Sequence, residues 1–127
     1  MDPVTDAVSQ RLHHQAISVP VSEVAGFLQN LLSRRLTAYI AGVRDGKTVN
    51  RWASGEVADI RDYTVEQRLR TTYEIAQLLI GYDSAQTVKA WFIGLNPQLG
   101  DVSPAEAINE GRLKESLAAA RAFTTGG

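Results

Sequence analysis

Two carboxylate pairs, Asp59 with Asp62 and Glu106 with Glu110, are the acids whose spacing would suit general acid–base work if a fold brought them together. Exposed acids on helices are far commoner than catalytic dyads, and nothing beside either pair supplies a nucleophile. His13 and His14 are adjacent, so on a helix or a strand they diverge, and no third ligand stands nearby. They read as exposed residues rather than metal ligands. A glycine-rich phosphate loop, an HExxH helix and a GxSxG elbow are all missing. The chain is therefore expected to be no enzyme and to need no cofactor or metal.

The residues that do form a chemical pattern are polar and basic, between Leu36 and Gly55. Val49 and Trp52 share one side of a short helix, which leaves Lys47, Asn50 and Arg51 on the other. Before it lies a helix over Leu36–Gly42, with Leu36, Tyr39, Ile40 and Val43 on its inner side. Ala38 and Gly42, four apart, are small enough for two helices to meet closely at a corner. Arg44, Asp45 and Gly46 make the turn, Asp45 is placed to cap the following helix, and Gly55 to end it in a left-handed conformation. This is the outline of a helix-turn-helix, whose second helix can enter a DNA groove.

Other elements must hold that corner. Residues 1–20 show no clear period and read as a flexible N-terminal arm. From Ser22, placed as an N-cap, Val24, Phe27, Leu28, Leu31 and Leu32 recur at helical spacing. A polar connection over Glu56–Asp62 leads to a longer helix over Thr64–Ile80, with Val65, Leu69, Thr72, Ala76, Leu79 and Ile80 inward. Ser84 opens a further helix carrying Val88, Trp91 and Phe92, which Gly94, Asn96 and Pro97 end. Ser103-Pro104-Ala105-Glu106 has the serine, proline and glutamate of a capped helix start. After Gly111 a last helix carries Leu113, Leu117, Ala120 and Phe123. No strand is evident. The expected fold is all-α: arm 1–20, helix-turn-helix domain 21–63 and C-terminal helical domain 64–127.

The chain has 127 residues, no cysteine and a net charge of −1. Disulfides and thiolate metal sites are excluded, and a cytoplasmic location is expected. No apolar run approaches a membrane span, so no membrane partner is expected. The charge is uneven. Residues 1–33 carry one basic and three acidic side chains, residues 34–70 eight and five, and residues 71–127 four and six, for net charges of −2, +3 and −2. The basic excess falls on the helix-turn-helix, where phosphate contacts would be made.

The segments VNRWASGE, AQLLIGY and TVKAWFIGLNPQLGDVSPAEAINEGRLKESL occur in that order. Over about residues 24–123 the chain resembles antitoxins of the Xre/MbcA/ParS type. These join an Xre-like helix-turn-helix to a C-terminal toxin-binding domain. The resemblance rests on Trp91, Asn96, Pro97, Leu99, Gly100, Pro104, Ala105, Glu106 and Gly111. It departs from the family pattern in one extra residue between Ala38 and Val49, in Asp45-Gly46 opening the recognition helix, and in a tail ending Phe123-Thr124-Thr125-Gly126-Gly127.

The resemblance implies a protein partner, a cognate RES-fold toxin that consumes NAD and whose active site the antitoxin covers. It also implies repression of the chain's own promoter, and a homodimer or larger toxin–antitoxin assembly. On this reading Arg112, Lys114, Leu117, Arg121 and Phe123 are the candidate toxin contacts. An arginine grips an anionic site bidentately, and Phe123 would anchor in a pocket. A second reading is a DNA-binding regulator without a toxin, in which Arg44, Lys47, Thr48, Asn50 and Arg51 face operator DNA and Arg34, Arg35, Arg61 and Arg68 touch its backbone. A third keeps the helix-turn-helix as packing scaffold alone.

Overall fold

The computed structural model describes residues 3–126, and among them the fold is all-α. The order is α1 (Pro3–Ser18), α2 (Val21–Leu32), α3 (Arg34–Ala41), α4 (Gly46–Ser54), α5 (Tyr63–Ile80), α6 (Ala85–Ile93), a single 3-10 turn (Pro97–Leu99), α7 (Pro104–Asn109) and α8 (Leu113–Thr124). An isolated bridge between Asn96 and Val102 is the sole β-type pairing among the described residues.

The α2 stripe behaves as its spacing requires. Val24, Ala25, Leu28 and Leu32 are buried, and α2 packs on α3, α4 and α5. Each such leucine removed from water stabilises the fold by roughly 1.5–3 kcal/mol. Helix α2 begins at Val21 rather than at a Ser22 cap, because Pro20 already has the extended geometry of the capping position. Ser33 alone links α2 to α3. Its φ of 93° is strained for a residue with a Cβ, and its Oγ compensates by accepting from the Leu36 amide at 3.2 Å.

The first twenty residues differ from the irregular arm expected of them. Residues 3–18 form α1, laid along α5. Its core-facing stripe is narrow: Leu12 and Ala16 pack onto the core, while Ile17 stays exposed. Tertiary bonds fix it. The Arg70 guanidinium on α5 donates to the Ala16 carbonyl at 3.0 Å and the Val19 carbonyl at 2.7 Å, satisfying carbonyls that the helix end leaves unpaired.

One hydrophobic cluster runs from Ala16 through Val49, Trp52, Leu69 and Phe92 to Ala120, with a small satellite of Leu99, Ala107 and Ala119. Residues on both sides of position 63 join the same core. α5 is its axis, in contact with α1, α2, α3, α6, α7 and α8.

Candidate functional site

Two surfaces gather residues of chemical interest. The first is the corner of α3 and α4. The C-cap of α3 is Gly42, left-handed at φ 86°, where a Cβ would lie 2.9 Å from the Arg68 Nη1. Asp45 caps α4, its carboxylate accepting from the Lys47 amide at 2.8 Å. Gly55 closes α4 in the left-handed region. Val49 and Trp52 are buried, which turns the opposite face of α4 outward. There Arg44, Lys47 and Arg51 are exposed, and Thr48 and Asn50 are half-buried beside them.

Arg34 and Arg35, also exposed, open α3. Gly46 lets the two helix starts approach, since a Cβ there would sit 3.1 Å from the Arg34 Cβ. None of Arg34, Arg35, Arg44, Lys47 or Arg51 forms an ion pair among the described residues. Arg61 is exposed on the loop before α5, whereas Arg68 is half-buried behind Gly42, its Nε without a hydrogen-bond partner. The corner thus presents five free cations over a packed interior.

The second surface is a trough along α5, walled by α1 on one side and α8 on the other. Its wider part has a volume of about 680 Å³ and is lined by Val8, Ser9, His13, Leu78, Tyr82 and the α8 residues Lys114, Leu117 and Arg121. An adjoining part of about 500 Å³ continues past Gln67 and Thr71 to Arg112. The two share His13, Glu74, Lys114 and Leu117, so the trough is continuous. At its centre the Glu74 carboxylate, nearly buried on α5, meets the exposed His13 Nδ1 at 3.0 Å. This pair joins residues 61 positions apart, and no local sequence pattern foreshadows it.

No family model matches this chain, and neither a curated protein nor a solved structure does.

The five α8 candidates divide. Lys114, Leu117 and Arg121 stand together on the trough wall. Arg112 is at its end and already engaged: it donates to Glu115 at 2.7 and 3.1 Å and to the Leu99 carbonyl at 3.2 Å. That hydrogen bond with Glu115 raises the arginine's affinity for its proton and holds the Glu115 carboxyl below its ordinary value. Arg112 thereby ties the start of α8 to the 3-10 turn. Phe123 is half-buried and packs into the core, away from the trough.

Asp62 and Glu106, one member of each carboxylate pair, stand at helix starts. Asp62 is an N-cap, accepting from the Thr64 amide and hydroxyl at 2.9 and 2.6 Å, and these bonds hold its carboxyl below the ordinary carboxylate range. Glu106 follows the Ser103 cap of α7, whose Oγ accepts from the Glu106 amide at 3.1 Å. No group of three metal-ligating side chains occurs among the described residues. No helix among them is long and apolar enough to cross a membrane.

Proposed function

We propose that this chain is an antitoxin that binds a cognate NAD-consuming, RES-type toxin and neutralises it by covering its active site. The observation that carries the reading is the exposed face of α8. There Lys114, Leu117 and Arg121, candidates from the sequence, line one open trough with an apolar floor. A cation–apolar–cation strip of this kind suits a protein partner. Leu117 supplies contact area and the flanking cations supply register and orientation. The order of Trp91, the Asn96-Pro97 turn, the Ser103-capped helix and Gly111 adds to it, since this order builds the support on which α8 rests.

The test is growth rescue. The neighbouring gene product is expressed with the wild-type chain and with a Lys114→Glu/Arg121→Glu variant. Rescue by the wild type and loss of rescue with the variant, at unchanged circular dichroism, is the expected result. Absence of rescue by the wild-type chain would end this reading.

The free cations at the α3–α4 corner favour a second activity in the same molecule, binding of DNA upstream of its own gene. Lys47, Asn50 and Arg51 on α4, with Arg44 on the turn before it, are the groove contacts, and Arg34 and Arg35 flank them for phosphates. Neutralising about five phosphates would make the logarithm of the binding constant fall with that of salt at a slope near −4 to −5. Gel shifts with the upstream DNA at low salt test this. No shift, with or without the toxin, would leave the corner a packing scaffold.

A further inference from the structure

The trough reaches beyond the α8 face. Along the C-terminal end of α1 it continues over Ala16, Ile17, Tyr63 and Gln67. Its floor is α5, the 18-residue helix Tyr63–Ile80, so it extends for about 27 Å at 1.5 Å per residue. Large apolar side chains stand in solvent at both ends, Ile17 and Tyr63 at one and Tyr82 at the other, exposed to 57%, 69% and 56%. Tyrosines flanking a groove with Leu78 and Leu117 at its wider part are the composition of a protein-binding surface, where rigid rings add contact area at low entropic cost.

Two of the carboxylates along the trough are paired with arginines, Glu66 with Arg70 at 2.8 Å and Glu115 with Arg112 at 2.7 Å, while Glu74 shares a hydrogen bond with His13 at 3.0 Å. Lys114 and Arg121 have no ion pair among the described residues. They are seven positions apart on one helix, hence two turns apart on one face. What Lys114 and Arg121 call for is negative charge, presented twice along one line of α8.

The shape constrains the occupant further. An extended peptide on this floor would leave backbone N–H and C=O groups facing Leu78 and Leu117 without partners, because no strand edge stands among the described residues. A helix satisfies its own backbone and presents only side chains, and a space between two helices lying on a third is where another helix packs.

We propose that the trough is the docking site for an acidic amphipathic helix of the partner protein, its apolar stripe on Leu78 and Leu117 and its carboxylates on Lys114 and Arg121. The identity of that partner as a toxin rests on the antitoxin reading; the chemistry of the trough does not. Wall α1 contributes as much as α8, so Val8, Ser9 and His13 join the contact surface, a role that the α8 sequence alone does not suggest.

The experiment uses two labelled synthetic helical peptides of about 16 residues, long enough to lie along most of α5. They share one leucine stripe at helical spacing and differ only in flanks of glutamate or lysine. Anisotropy is read against the full chain. The glutamate peptide is expected to bind at least about tenfold tighter than the lysine peptide. Leu117→Asp should abolish binding, and Lys114→Glu/Arg121→Glu, whose positions are exposed, should invert the preference. Equal binding of both peptides, binding of neither, or a preference that survives the charge reversal would overturn the proposal. So would sedimentation showing that the wild-type chain dimerises and that Leu117→Asp makes it monomeric, which would give the trough to a second copy. Peptide binding without growth rescue would retain the trough and discard the antitoxin; rescue without peptide binding would do the reverse.

Discussion

The α3–α4 corner and the α1–α8 trough finish their surfaces in opposite ways. The corner is closed on the inside: Val49 is fully buried and Trp52 is 4% exposed, so what α4 offers outward is polar and cationic. The trough is unfinished on the outside. Leu113 and Leu117 are only half-buried, α8 starts at Arg112 without a side-chain cap, and tyrosines stand in water at the ends. A helix that spends its apolar residues on its own core is left with charge to offer, and its contacts are salt-sensitive. A helix pair that holds apolar area in reserve offers shape and burial. The difference separates a cationic surface from one with apolar area in reserve within one molecule.

Variants at the two regions should therefore fail in different ways. The largest effect is expected at Trp52, where truncation to alanine removes a buried indole from beneath the basic face. Urea unfolding of Trp52→Ala should show a loss of about 3–5 kcal/mol. Next is Gly42→Ala. It places a Cβ at φ 86° and 2.9 Å from Arg68, and should cost about 1–2 kcal/mol in the same assay. The trough should respond differently. Lys114→Glu/Arg121→Glu is expected to leave stability within about 0.5 kcal/mol of wild type while removing partner binding. A large stability loss there would erase the contrast between the regions.

A smaller effect tests the helix that both regions share. Asp62, which caps α5, has its carboxyl held below the ordinary range chiefly by the Thr64 hydroxyl and the Val65 amide. Its ionised form therefore adds stability above the unfolded-state pKa, and this is lost as pH falls through the lowered folded value. The stability gap between wild type and Asp62→Asn should be open at pH 7 and close below about pH 4. A gap independent of pH would show that the hydrogen bonds do not depend on the charge.

Much of this architecture was legible because its signals are local. Asp45, Gly55, Ser84 and Ser103 do at their helix ends what short-range capping chemistry requires. The 3.6-residue periods of α2 and α5 fix which residues face inward. Helix α1 was not legible, since its inward stripe is thin and its C-terminal carbonyls are satisfied by Arg70, more than fifty positions away. The same holds for the candidate site. Periodicity could place Lys114, Leu117 and Arg121 on one face of α8. It could not show that α1 forms the opposite wall, that His13 meets Glu74, or that Arg112 is held by the Leu99 carbonyl. Those facts come from chain segments meeting in space.

The central claim is that the α8 face acts by covering a toxin's active site. Its most direct test is NAD consumption by the purified neighbouring gene product, measured with the wild-type chain and with the Lys114→Glu/Arg121→Glu variant. The account predicts that the wild-type chain suppresses consumption in a saturable way and that the folded variant does not. Undiminished consumption with the wild type, or equal suppression by the variant, would contradict it.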